Sequence, residues 1–243
     1  MNKNLIAILL ALFASFCAVL MSVFLKLAQN DTNVFSVGFL RFLFGLFIIS
    51  PFILKSKFKI YKTSNLKLHV LRASLNVPMM LIGFSALMYI PLEQIKGISF
   101  LSPVIIVILS VFILKEKIYL IRSLSLVIGF IGTLIIIRPG IIEINVGIFM
   151  ALTSTVIWSF IVIITKFTSR KDSPVTILTY QYSLVTLFSL PIAIIFWETP
   201  SSITVIYIFL SALVGTMLHL SMNYAFKFSD LSVIQPISFT GLI

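Results

Sequence analysis

The chain has 243 residues, 60% of them apolar and 10% charged, with eighteen lysines and arginines against seven acids and a mean hydropathy of +1.17. A soluble domain carries roughly 25% charged residues, and so few charges cannot cover a surface of this size, which excludes an ordinary water-soluble globule. The net charge of +11 would suggest nucleic acid in a soluble protein, but here the bases fall between apolar runs, so no nucleic-acid partner is expected and lipid is the expected solvent.

A bilayer core needs about 20 apolar residues per helix, and such runs fall at 5–25, 34–54, 70–90, 97–114, 119–137, 146–165, 175–197 and 203–223. The first follows Met1-Asn2-Lys3-Asn4, a basic start like that of a secretory signal. The run is too long and lacks a small-x-small cleavage site, so it reads as a retained helix. Cys17 lies inside it as a small packed hydrophobe, and a lone cysteine forms no internal disulfide. A ninth run begins near Leu231, and the sequence stops at Ile243, 13 residues along, so it reads as ending inside a helix. Strand-period alternation is absent and the connections are short, so the expected fold is an all-α integral membrane protein, one antiparallel bundle.

The bases divide unevenly between the two faces. Fourteen lie on the side of the N-terminus: Lys3, the group from Lys55 to Arg72, Lys115, Lys117, Arg122, Lys166, Arg170, Lys171 and Lys227. Lys26, Lys96 and Arg138 lie on the other side, and Arg41 is one-third of the way into the second span. By the positive-inside rule the chain is a multi-pass protein of the cytoplasmic (inner) membrane with its N-terminus in the cytoplasm.

The sequence also repeats itself. Ile98-Ser99-Phe100 recurs as Ile237-Ser238-Phe239 at an offset of 139, which also pairs Ala86 with Ala225 and Leu92 with Leu231. At an offset of 140, Lys26 pairs with Lys166 and Pro51 with Pro191. The first four spans thereby fall on the sixth to ninth, giving a five-helix unit. An odd unit enters the membrane from the opposite side in its second copy, so the expected domains are an inverted repeat of 1–140 and 141–243, the second truncated in helix nine, with a tenth helix expected beyond it.

At this point the residues resemble a family. Ala86-Leu87-Met88-Tyr89-Ile90-Pro91-Leu92, Pro103, Glu116, Gly129 and Gly132 before Arg138-Pro139 resemble the first half of EamA-type carriers of the drug/metabolite transporter superfamily. Trp158 and Lys166, then Ala225 through Leu231-Ser232-Val233 to Pro236, are similar to the second half. The resemblance implies ten helices in two inverted halves, a central cavity, and substrates such as amino acids, nucleoside-like metabolites or S-adenosylmethionine. The Ala225 to Pro236 stretch looks most like the branch that includes S-adenosylmethionine uptake carriers.

An ionised side chain inside a span costs about 2.5–3.5 kcal/mol on insertion scales, so one kept there faces a cavity or a partner. Arg41 is the clearest case: a guanidinium in the central cavity would bind a substrate carboxylate through paired hydrogen bonds, whereas a structural arginine would snorkel to the outer headgroups. The 140 offset maps Leu40 onto Tyr180 and Arg41 onto Gln181, so a polar residue recurs at this site, and Tyr180 and Gln181 are candidates to face the substrate cavity or else to hydrogen-bond neighbouring helices. His219 and Asn223 share a helical face and are read either as a polar stripe that contacts substrate, with His219 a candidate proton carrier, or as helix-to-helix hydrogen-bonding residues, the reading favoured for Asn223. Asn76 precedes Pro78, which is either a hinge or cavity-lining kink, or a packed bend. Trp158 is a stacking wall or, by default, a packed aromatic. Lys26 and Lys166 stand at matching helix ends, where structure is favoured over gating. Glu116, between Lys115 and Lys117, reads as a salt bridge with a fold-supporting role, and Glu93 and Lys96 as rim residues of the link between the third and fourth spans.

The expected function is secondary transport of a small polar metabolite by alternating access. A membrane-embedded enzyme would need clustered His, Asp, Glu or Cys, whereas the chain has only His69 and His219 and its acids sit near helix ends. No G-x-x-x-x-G-K-[ST] loop is present for an ATP-driven motor. No metal or cofactor is expected. A channel or a structural membrane subunit remains the alternative, separated from a carrier by saturable, substrate-specific flux.

Overall fold

The computed structural model describes residues 3–117, 119–137 and 145–242. Among them there is helix and no strand. The helices are α1 (Lys3–Ala28), α2 (Val34–Lys55), α3 (Leu66–Ser85), α4 (Leu92–Ser99), α5 (Ser102–Leu109), α6 (Leu120–Ile137), α7 (Val146–Ser169), α8 (Pro174–Ile195), α9 (Ser202–Phe228) and α10 (Leu231–Ile234). Seven units are long and apolar enough to cross a membrane: α1, α2, α3 with its 3₁₀ extension to Met88, the Leu92–Leu114 unit, α7, α8 and α9. The chain is a multi-pass membrane protein. Arg138-Pro139 and the expected boundary at 140 lie outside the described residues.

Local chemistry sets the ends. Asn33 caps α2 by accepting from the amides of Phe35 and Ser36, and Ser173 and Ser201 cap α8 and α9 in the same way. The fourth span differs from a continuous 97–114 helix. It starts at Leu92, which puts Glu93 in the first turn of α4 rather than in a link, and it breaks at Phe100 and Leu101. The reason is Pro103, which has no N–H and whose ring would strike the carbonyl of Ser99 in an unbroken helix. The segment closes in a π-turn, Ser110–Leu114, followed by Lys115 with φ of 57°. The ninth run is the short α10 continued as 3₁₀ helix over Gln235–Leu242 rather than a regular α-helix.

Large apolar side chains such as Phe16, Phe47, Phe112 and Ile195 are exposed, as a lipid-facing surface requires, while small residues turn inward. Ala7, Ala11, Ala14 and Cys17 are buried along α1. This face of small residues lets α1 and α9 run close together with Ala225, Phe226 and Leu218 between them. Contacts recur in matching pairs: α1 packs along α9 and α7 along α3, α2 against α9 and α8 against α3, with α2 and α8 facing each other.

The loops do the same on opposite faces. On the face away from the N-terminus, Asp31 accepts from the Ser201 amide (2.9 Å) and the Thr204 hydroxyl (2.8 Å) at the start of α9. On the N-terminal face, Asp172 accepts from Thr63 (2.9 Å) and Asn65 (3.0 Å) at the start of α3.

Candidate substrate site

Arg41 is buried, 7% exposed, and its guanidinium turns into the bundle rather than toward a headgroup. Nη2 lies 2.9 Å from Met21 Sδ on α1 and 3.5 Å from His219 Nε2 on α9, while Nε has no partner. Gly215 makes the room, since a Cβ there would stand 2.9 Å from Nη2. Next to it, the Thr216 hydroxyl is 2.8 Å from the Tyr182 hydroxyl on α8, and Tyr182 meets Phe42 edge to face. Among the described residues no carboxylate pairs with Arg41; the one ion pair is His69–Asp172. A guanidinium donates only, so the His219 nitrogen facing it serves as an acceptor. His219 is itself only partly buried. Three helices thus hold a positive charge that the protein leaves uncompensated, the arrangement in which an anionic group gains most from entering.

A second polar cluster lies nearer the N-terminal face. His69 Nε2 is 3.0 Å from Asp172, and the His69 ring stacks on Tyr180 at 4.4 Å. Tyr180 donates to the Tyr61 carbonyl at 2.6 Å. Arg72, 2% exposed, donates to the Ile177 carbonyl (2.6 Å) and to Thr165 (3.2 Å), joining α3 to α8 and α7. Burial pushes the Asp172 carboxyl up, but hydrogen bonds from Asn65, Thr63 and His69 outweigh it and hold it below the usual carboxylate range. Asp31 is held low by the Ser201 amide, then by Ser201 and Thr204 hydroxyls.

The described residues outline an opening on each face of the bundle. One of about 580 Å³, on the face away from the N-terminus, is lined by Lys26, Gln29, Phe84, Leu87, Ile90 and Glu93 among others. One of about 350 Å³, on the N-terminal face, is lined by Lys115, Glu116, Lys117, Lys166, Arg170 and Asp230 with Leu114 and Tyr119.

The profile of the EamA-like transporter family matches residues 5–138 and 145–243. The chain belongs to the EamA-like transporter family. It is therefore a membrane transporter and not an enzyme. It is 29% identical to the S-adenosylmethionine uptake transporter of Rickettsia prowazekii over 90% of this chain and 74% of that one. It is 30% identical to a riboflavin transporter of Vibrio cholerae over 72% of this chain and 59% of that one. A crystal structure of 16% sequence identity superposes with a TM-score of 0.80 over 97% of this chain and 84% of its own, which bears on the fold alone.

In this EamA-like transporter Arg41 and His219 come together, and the other sequence candidates lie elsewhere. Tyr180 sits with His69, and it is Tyr182, two residues on, that faces the Arg41 side. Gln181 and Asn76 are buried in α8 and α3. Asn223 donates to the Pro174 carbonyl (3.3 Å), tying α9 to the start of α8. Pro78 is exposed, and α3 continues through it. Trp158 packs against the cluster of Ala7, Ala11, Ile106 and Val162. Lys26 is exposed, whereas Lys166 is buried and donates to the carbonyls of Phe226 (2.7 Å) and Ser229 (2.6 Å). Glu116 makes no salt bridge with its lysine neighbours; its carboxylate accepts from the amides of Leu231 and Ser232, 3.2 Å each, and caps α10.

Sequence reasoning missed His69, Arg72 and Asp172. Arg72 reads as one more base of the N-terminal side at the edge of the 70–90 span, yet it lies nearly two turns inside α3 and is buried. One signal was available: Asp31 and Asp172 each stand shortly before a helix start, 141 residues apart.

Proposed function

We propose that this EamA-like transporter is a secondary carrier of a small, carboxylate-bearing polar metabolite, S-adenosylmethionine or an amino acid, working by alternating access. The observation that carries the reading is the buried Arg41 guanidinium, set beside His219 and lacking any carboxylate partner among the described residues. A substrate carboxylate would accept from Nη2 and Nε together, the paired geometry that a lysine cannot offer. S-adenosylmethionine carries such a carboxylate, and the Rickettsia relative is named for its uptake.

We place the repeat boundary near residue 140 and the second copy inverted. The paired packing of α1 with α9 and α7 with α3, and the Asp31 and Asp172 contacts on opposite faces, support this reading. The base-rich side supports a cytoplasmic N-terminus in the inner membrane: Lys55 is the last residue of α2 and Lys57, Lys59 and Lys62 stay outside the spans, even though Arg72 and Lys166 are spent inside the bundle.

The test is uptake of labelled S-adenosylmethionine by cells expressing the natural protein, against empty cells, with unlabelled amino acids, nucleosides and riboflavin as competitors. Saturable uptake blocked by unlabelled S-adenosylmethionine is expected. If a stably inserted protein moves no label, S-adenosylmethionine is eliminated; if flux never saturates, the carrier reading fails in favour of a channel.

A further inference from the structure

Lys166 closes the end of α9 on the N-terminal face. Its ammonium is 8% exposed and donates to the Phe226 and Ser229 carbonyls, groups left without intrahelical donors where the helix stops. The opposite face holds the same parts, unassembled. Lys26, 140 residues earlier, is exposed and lines the 580 Å³ cleft together with Leu87 and Ile90. Leu87 and Ile90 stand 139 residues before Phe226 and Ser229. The two places share one backbone hydrogen bond, Ile90 donating to the Ala86 carbonyl and Ser229 to the Ala225 carbonyl, both at 3.0 Å, although Leu87 lies in a 3₁₀ turn and Phe226 in the last turn of an α-helix. The neighbours correspond too, since α1 runs along α9 as α7 runs along α3.

We infer that Lys26 and Lys166 are reciprocal gate latches: when the cleft closes, Lys26 donates to the carbonyls of Leu87 and Ile90, and Lys166 releases Phe226 and Ser229. This rests on the inverted-repeat carrier reading. The structure is then the state latched on the N-terminal face, where Lys166 is engaged at the edge of the smaller opening of about 350 Å³, and open on the other, where the cleft is about 580 Å³. An ammonium between two carbonyls is a charge-assisted contact that water replaces easily in an open cleft and poorly in a closed one, so each latch favours closure of its own face.

The test uses two thiol reporters in a Cys17→Ala background, Ser85→Cys in the cleft and Ser169→Cys, buried beside Lys166. Each is labelled with a membrane-impermeant maleimide from its own side. Removing a latch removes two charge-assisted hydrogen bonds, each offset in part by the water that takes its place when the cleft opens, so the population should shift by about tenfold or more. Lys26→Met should therefore slow Ser169→Cys labelling about tenfold, and Lys166→Met should speed it while slowing Ser85→Cys labelling. Lys26→Arg should behave as the parent. Lys26 is exposed and tolerates substitution, so Lys26→Met decides the matter even if Lys166→Met fails to insert. Unchanged Ser169→Cys labelling in Lys26→Met overturns the latch. Saturable uptake without reciprocity overturns the latch and leaves the carrier; reciprocity without uptake of any tested metabolite overturns the carrier's assigned substrate instead.

Discussion

Replacing Arg41 with methionine, which has similar length and no charge, separates binding from stability. The guanidinium meets only a thioether at 2.9 Å, an imidazole at 3.5 Å and the face of the Phe42 ring at 5.1 Å, and Nε has no partner, so it is a desolvated charge with little compensation. Removing such a charge is neutral or stabilising, by about 1 kcal/mol. Binding should respond in the opposite sense. Two hydrogen bonds from a charged donor to a carboxylate contribute about 1.5–3 kcal/mol each, so their loss weakens affinity by about a hundredfold or more. The assay is equilibrium binding of labelled S-adenosylmethionine to detergent-purified protein, with Tm measured beside it. Arg72→Met is the internal contrast, because that guanidinium is hydrogen-bonded to Ile177 and Thr165 across three helices and its loss should lower Tm. If Arg41→Met lowers Tm as far as Arg72→Met and leaves affinity unchanged, Arg41 is a structural residue and the reasoning is refuted.

Gly215→Ala should push the Arg41 guanidinium away by adding a Cβ 2.9 Å from Nη2; the far end of a flexible side chain can yield, so affinity falls while Tm holds, and a Tm loss with affinity intact would contradict this. Glu116→Ala removes both acceptors from the Leu231 and Ser232 amides. It should cost about 2–4 kcal/mol of stability, read as a lower Tm and as faster proteolysis near α10; an unchanged Tm would show that water replaces the cap. Asp172 titrates below the usual carboxylate range in the folded protein. Its contribution to stability is therefore present above the unfolded value and lost as pH falls below about 4. Asp172→Asn should lower Tm at neutral pH and flatten its fall in acid, and a parallel acid profile in the two proteins would assign the loss to other carboxylates.

Much of the fold is written in one-dimensional pattern, because a bilayer imposes a length and a polarity on every span. The helices beginning at Val34, Val146 and Ser202 needed only the counting of apolar residues to be placed within a residue of their observed starts. Departures came where local chemistry overrides hydropathy, as at Pro103, whose missing N–H breaks a run that is apolar throughout. The sites were less legible. Arg41 stands out as a charge within a span, but composition could not choose between a headgroup and the bundle interior. That choice depends on which neighbour is small, and Gly215 lies 174 residues away.

What the sequence by itself determined is the lipid environment, the all-helical architecture, the span order and the family, since each follows from apolar run length or motif spacing along the chain. Only the tertiary structure decided which polar residues meet: Arg41 with His219 but not Tyr180, His69 with Asp172, Glu116 with the amides of α10, Lys166 with the end of α9. Such pairs join residues 60 to 178 positions apart. They form only because helix packing brings particular faces together in a medium where an unpaired polar group is costly.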